Sequence, residues 1–246
     1  MIVNSLRFVL FEPTHPGNVG AAARAMKTMG FNELVLVNPA CEIDGQARAR
    51  SAGALDILSA ARIEPDLESA IGDCGFVAGA SARKRRLNWP ELDARTCAAK
   101  VASRISEGPV AILFGPERAG LSNVELDRCN ALVYIPSNPE YNSLNLASAV
   151  QLIAYELRLA LISEAPPLPA EFPPASGHEM ALFYEHLERA LKGVNFINPD
   201  KSQHIMRRLQ RLFNRSELNQ NEMNILRGML SALAPGSGDR PPADEE

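Results

Sequence analysis

Five short apolar runs, Leu6–Phe11, Leu34–Val37, Phe76–Ala80, Val110–Phe114 and Leu132–Ile135, alternate with helix-compatible segments along the first two thirds of the chain. Runs rich in β-branched and aromatic residues, with little polar alternation, belong to strands buried on both faces. With the helical segments between them they predict an α/β fold, a parallel sheet with helices on both faces. A chain of 246 residues that is 46% hydrophobic can bury one such core and still carry a smaller appendage. It contains no internal repeat.

Four polar or glycine-rich turns, Thr14–Asn18, Ala80–Arg83, Gly115–Gly120 and Ser137–Ser143, each follow the carboxyl end of one of these strands. Open parallel sheets bind ligands at that edge, so four turns converging there predict a composite site. The last turn is the most developed, IPSNPEYNSLNLASAVQLIAYEL from Ile135 to Leu157. Asn142 and Ser143 are strong N-capping types, and Leu146, Val150, Ile153 and Leu157 recur at the spacing of one buried helical face. An ordinary capped core helix has that spacing too. The crowd of hydrogen-bonding groups before it also suits a polar ligand at a helix N-terminus.

The first turn, PTHPGNVG, leads into AAARAMKTMG, a helix closed by Gly30. Gly20, Ala21, Ala22 and Ala23 let a backbone or ligand come close, and Arg24 projects from that small surface. No Gly-Lys-Ser/Thr follows the Gly17–Gly20 pair, and its spacing is wrong for GxGxxG, so both nucleotide-loop readings fall, and a dinucleotide-binding oxidoreductase is disfavoured with them. His15 precedes Pro16 in this turn.

A net charge of −4 gives no global reason to expect nucleic acid, so that case rests on local patches. Arg83, Lys84, Arg85 and Arg86 are consecutive and close to Trp89; Arg207, Arg208, Arg211 and Arg215 cluster on a helical pattern. Each either meets phosphates or is a solvated face that binds nothing. Cys41, Cys74, Cys97 and Cys129 are scattered, without CxxC or a histidine at ligand spacing, which predicts reduced thiols and no metal. No apolar run is long enough to span a membrane and no secretory signal is legible, so a cytoplasmic location is expected.

The organisation read from composition is an α/β domain over 1–163, a proline-rich linker over 164–178, a helical extension over 179–234 and a disordered tail over 235–246. The extension, with its basic middle helix, is too short for a large core and is expected to dock onto something.

Three segments, HPGNVGAAARAMKTMGF (15–31), LFGPERAGL (113–121) and IPSNPEYNSLNLASAVQLIAYEL (135–157), occur in order. Together they resemble the SPOUT superfamily of S-adenosylmethionine-dependent RNA methyltransferases and, within it, the TrmJ-type tRNA 2′-O-ribose methyltransferases. The likeness covers Leu6 to Arg158, and NILRGML (224–230) after the basic helix is similar to the same type. The resemblance implies a C-terminal trefoil knot, which general topology disfavours. It also implies a homodimer with each active site at the subunit interface, no metal, and tRNA as partner. By position it implies that Ala80, Ser81, Ala82, Gly115, Ile135, Asn142, Ser143 and Leu144 line the S-adenosylmethionine pocket. Asn18, Arg24 and Ser143 are the implied catalytic residues, and Glu117 a substrate contact or only a cap on backbone amides. The implied target is the ribose of cytidine or uridine at position 32 of the anticodon loop, with Arg83–Arg86 and Arg207–Arg215 on the RNA. Pro116 departs from the basic residue of other TrmJ-like sequences, and the inserted NPEYN separates the chain from guanosine-modifying relatives. Another tRNA or rRNA ribose is the nearest alternative, and a non-catalytic RNA-binding factor a more distant one.

The implied chemistry is an in-line displacement that needs alignment of oxygen, methyl and sulfur and the departure of one proton. A guanidinium, with a pKa of about 12.5 or more, stays charged and is no base. Arg24 is therefore assigned to holding a phosphate and stabilising developing alkoxide and Asn18 to orienting the hydroxyl, while the proton leaves through water or late in the reaction.

Overall fold

The structure, a computed structural model, describes residues 5–82, 90–163, 171–197 and 202–233. Among these residues lie β1 (Leu6–Phe11), β2 (Glu33–Val37), β3 (Arg62–Glu64), β4 (Phe76–Ala80), β5 (Glu91–Asp93), β6 (Val110–Phe114) and β7 (Ala131–Tyr134). They form one sheet in the order β3-β2-β1-β6-β4-β7-β5, with every pairing parallel. The five expected strands are present. The two unforeseen ones, β3 and β5, are three-residue edge strands carrying charges at both ends. Short charged edges leave little apolar signal, and they keep a sheet from pairing further.

Among the described residues seven helices belong to this layer: α1 (Pro16–Met29), α2 (Gly45–Ser51), α3 (Leu55–Ala60), α4 (Leu67–Ile71), α5 (Ala94–Arg104), α6 (Asn123–Leu126) and α7 (Leu146–Ser163), with a 3₁₀ turn at Ala52–Ala54. Leu6, Phe8, Leu10, Val110, Ile112 and Phe114 point to one face and join Val150, Ile153 and Leu157 of α7 in a single core. Val9, Val35, Ala111 and Leu113 point to the other face, against α4 and Leu126 of α6. This two-sided burial is why the strands read as continuous apolar runs. Gly20 lets α1 and α2 touch: a Cβ there would sit 2.0 Å from the Ala47 carbonyl oxygen. Gly30, at φ 83°, ends α1 in the left-handed conformation as expected.

Three further helices, α8 (Gly177–Gly193), α9 (Ser202–Ser216) and α10 (Gln220–Ala232), have their own core around Phe183, Leu187, Met206, Met223 and Leu230. What they dock onto is the sheet layer of the same chain. Arg207 pairs with Asp127 at 2.7 Å, Asn214 Nδ2 donates to the Asp127 carbonyl at 2.9 Å, and Glu217 pairs with both Lys100 and Arg104 of α5. The chain before α8 is docked as well. Ala175 N–H donates to the Leu218 carbonyl at 2.8 Å and Gly177 N–H to that of Cys74 at 3.1 Å. Among the described residues no helix is long and apolar enough to cross a membrane.

Candidate active site

β1, β6, β4 and β7 are consecutive neighbours in a parallel sheet, so the turns that follow them gather at one edge. There the turns after β4, β6 and β7 enclose a cavity of about 140 Å³. Ala80, Ser81 and Ala82 line it from the turn after β4, Gly115 to Leu121 from the turn after β6, and Ile135, Asn142, Ser143 and Leu144 from the turn after β7. Phe114, Val133, Leu146, Ala149 and Ile153 supply apolar wall. All eight residues that the resemblance gave to a cofactor pocket thus border one cavity. A second cavity of about 350 Å³ adjoins it, sharing Ser81, Ala82, Ile135 and Asn142.

Local geometry explains why the walls hold still. A Cβ on Gly115 would come within 2.4 Å of the Leu121 backbone nitrogen, so only glycine lets the 115–121 loop fold back on itself. Gly120, at φ 65°, closes that loop through its N–H to the Pro116 carbonyl at 2.8 Å. Asn142 Nδ2 donates to the Ala82 carbonyl at 2.9 Å and ties the turn after β7 to the turn after β4.

A chain of hydrogen bonds then joins the three motifs. Glu117 accepts from Thr14 N–H at 2.9 Å, Thr14 Oγ1 at 2.6 Å, His15 N–H at 3.2 Å and Asn18 Nδ2 at 2.9 Å. Burial alone would raise the Glu117 pKa, but these bonds outweigh it and hold the carboxyl down at about 2. Glu117 does bind backbone amides, and it also binds the Asn18 side chain. Asn18 Oδ1 in turn accepts from Asn145 Nδ2 at 3.0 Å.

Two sequence expectations are corrected here. Helix α7 begins at Leu146, so its N-cap is Asn145, whose Oδ1 accepts from Ala147 N–H at 2.9 Å, and not Asn142 or Ser143, which stay in the turn on the cavity wall. Asn18 lies inside the first turn of α1, which starts at Pro16, rather than in the loop before it. Asn145 belongs to the crowd of hydrogen-bonding groups expected before this helix, but the sequence reading did not single it out. The available signal was its position as the last capping-type residue before Leu146, the first buried position of the helix.

Arg24 is exposed on α1 and does not border the cavity. On α9, Arg208 and Arg215 are exposed, Arg207 is engaged with Asp127, and Arg211 Nε donates to the Arg207 carbonyl at 3.1 Å. Arg83, Lys84, Arg85, Arg86 and Trp89 lie outside the described residues. All four cysteines are free thiols.

What the cavity can hold follows from its wall. Small residues, backbone groups and one apolar side suit a nucleoside-sized ligand packed closely against main chain, and its described charged liners are Glu117 and Arg118. A parallel sheet with such a cavity at its carboxyl edge, backed by a docked helical extension, defines a ligand-binding α/β protein of the doubly covered type. The chain belongs to the SpoU rRNA Methylase family, whose model matches residues 5–155, and residues 178–242 match the model of the tRNA methyltransferase TrmJ, C-terminal domain. It is 48% identical over 241 residues, 94% of each chain, to the tRNA (cytidine/uridine/adenosine-2′-O-)-methyltransferase TrmJ of Pseudomonas aeruginosa. The crystal structure of TrmJ from Z. mobilis superposes with a TM-score of 0.79 at 35% identity, covering 92% of this chain and 98% of that one. The SpoU methyltransferase AviRb of Streptomyces viridochromogenes, solved with the cofactor AdoMet, is similar at 26% identity with a TM-score of 0.52, covering 64% of this chain and 61% of that one.

Proposed function

We propose that this chain methylates the 2′-oxygen of a tRNA ribose, with S-adenosylmethionine as donor and cytidine or uridine at position 32 of the anticodon loop as target. The observation that carries the reading is the single cavity bordered by Ala80–Ala82, Gly115, Ile135 and Asn142–Leu144, wired through Glu117 and Asn145 to Asn18. The donor fits that wall: backbone and small residues for the adenosine, and no described lysine or arginine on the wall except Arg118 to oppose a sulfonium. When bound, the donor supplies a methyl group on a cationic sulfur. Asn18, fixed between Glu117 and Asn145, is placed to orient the attacking hydroxyl. Similarity to the P. aeruginosa protein supports the tRNA substrate; the target position comes from the resemblance of the motifs.

The same reading makes the enzyme a cytoplasmic homodimer. Leu152, Tyr155, Leu159 and Ile162 form an exposed apolar stripe along α7, beside α1, which carries Arg24. A second copy covering that stripe buries it and brings Arg24 to the partner's cavity. The turn after β7, tied to the turn after β4, is read as the threaded segment of a trefoil knot. The domain limits 1–163, 164–178, 179–234 and 235–246 belong to the same reading, as do cofactor contacts for the eight cavity residues and RNA contacts for Arg83–Arg86 and the α9 arginines.

Mapping of ribose methylation by mass spectrometry in tRNA from cells lacking the protein tests the proposal. The expected result is loss of the 2′-O-methyl mark at position 32, restored by purified protein with S-adenosylmethionine. Loss at another tRNA or rRNA ribose would move the target, and an unchanged RNA with no donor binding would leave only an RNA-binding factor.

A further inference from the structure

Arg118 lines the cavity but has no role in the proposed chemistry. It borders the cavity, is exposed, and among the described residues has neither an ion pair nor a side-chain hydrogen bond. Its backbone is fixed, because Gly115 and Gly120 close the loop that carries it. Next to it, Glu117 is held ionised at neutral pH, with its oxygens taken by Thr14, His15 and Asn18. The cavity therefore has one fixed negative charge that its own hydrogen bonds satisfy and one positive charge that nothing in the described chain satisfies.

S-adenosylmethionine brings two cationic groups, the sulfonium and the α-ammonium, and one anion, the α-carboxylate. A carboxylate entering a wall that already holds an ionised Glu117 meets repulsion unless a cation accompanies it. We infer that Arg118 is the anchor for the donor's α-carboxylate, a binding subsite at the rim of the cavity. The guanidinium fork matches a carboxylate with two parallel N–H donors, and an exposed rim keeps the cation clear of a sulfonium deeper in the cavity. Candidate cations for RNA phosphates stand elsewhere, at Arg208 and Arg215 on α9. The assignment rests on the proposed donor and deepens it.

The test compares two ligands by calorimetry on the full chain. S-adenosylhomocysteine carries the carboxylate, and 5′-methylthioadenosine is the same thioether nucleoside without the amino-acid part. In the wild type the former binds more tightly. Arg118→Ala is expected to weaken S-adenosylhomocysteine by about ten- to a hundredfold while 5′-methylthioadenosine changes less than about twofold, and Arg118→Lys to recover part of the loss. Equal weakening of both ligands would make Arg118 a structural support of the loop. Unchanged binding of both, with a raised KM for tRNA and a shallower salt dependence, would place it on a phosphate. Either outcome overturns the assignment. A wild type that binds neither ligand fails the proposed donor itself, which separates that failure from a failure at Arg118.

Discussion

Asn145 spends its two side-chain groups in opposite directions: Oδ1 accepts from Ala147 N–H at the start of α7, and Nδ2 donates to Asn18 Oδ1 at 3.0 Å on α1. One residue thus caps a helix and holds the group proposed to orient the substrate. Asn145→Asp keeps the acceptor for the cap and removes the donor to Asn18. Its melting temperature should stay within a few degrees of wild type while turnover falls about tenfold or more, whereas Asn145→Ala should also lose about 1 kcal/mol of stability. Thermal melts beside single-turnover methyl transfer read the two effects apart. Wild-type turnover in Asn145→Asp would show that Asn18 keeps its orientation without this bond.

Glu117 makes a pH signature. Its folded-state pKa is pulled from the ordinary 4.5 to about 2 by the Thr14 and Asn18 bonds, which overcome burial. A depressed carboxyl pKa contributes stability that is complete above the unfolded value and disappears as pH falls from 4.5 to about 2. The group is only partly buried, so screening leaves a contribution on the order of 1 kcal/mol. Denaturation midpoints of wild type and Glu117→Gln should differ most between pH 5 and 7 and converge as pH approaches 2. Parallel curves across the whole range would mean that the Glu117 charge has no stabilising partner.

How far the sequence could be read differs from element to element. The strands β1, β2, β4, β6 and β7 were legible because burial on both faces leaves an unbroken apolar run, and the buried face of α7 because Leu146, Val150, Ile153 and Leu157 keep helical spacing. β3 and β5 were not, since Arg62-Ile63-Glu64 and Glu91-Leu92-Asp93 make no run at all. The convergence of four turns followed from parallel pairing, which puts the turn after every strand at the same edge. Which of three nearby polar residues caps α7 did not follow, because Asn142, Ser143 and Asn145 all have capping chemistry and only the backbone path chooses. Nor could spacing along α9 tell that Arg207 is occupied by Asp127, 80 positions away, while Arg208 remains exposed.

That ion pair fastens the helical extension. Asp127 receives the Arg207 guanidinium on its carboxylate and the Asn214 amide on its carbonyl. Asp127→Ala removes the first bond and keeps the second, leaving the Arg207 charge at the interface unpaired, at a cost of about 1–2 kcal/mol. A melting temperature about 2–6 °C lower, together with faster proteolytic cutting between α7 and α8, is the expected result. Unchanged cutting would assign the docking to Glu217 and its two partners on α5.

The exposed pair Arg208 and Arg215 should be felt in the ionic-strength dependence of tRNA binding. Each phosphate contact contributes roughly one unit to the slope of log affinity against log salt. Arg208→Glu with Arg215→Glu should therefore flatten that slope by about two and weaken binding at low salt, with donor affinity unchanged. A slope identical to wild type would return both residues to the solvated face of α9.

Arg24 bears on the active site through the proposed dimer, since it stands exposed on α1 and away from its own cavity. A fixed guanidinium acting on a phosphate or a developing alkoxide is poorly replaced by lysine, whose ammonium lacks the planar fork. Arg24→Ala should abolish most turnover, and Arg24→Lys should recover a fraction of it. Near-normal turnover in Arg24→Ala with tRNA still bound would remove the role. Complementation then locates the site. Gly115→Leu should disable the cavity by driving a side chain into the Leu121 backbone, 2.4 Å from where its Cβ would stand. Mixed after subunit exchange, Arg24→Ala and Gly115→Leu chains form heterodimers in which one intact cavity faces one intact arginine. If Arg24 serves the partner's cavity, the two inactive preparations recover roughly a quarter of wild-type activity, since half the dimers are mixed and each has one complete site. If it serves its own, every site in the mixture lacks either the cavity or the arginine, and the mixture stays inactive.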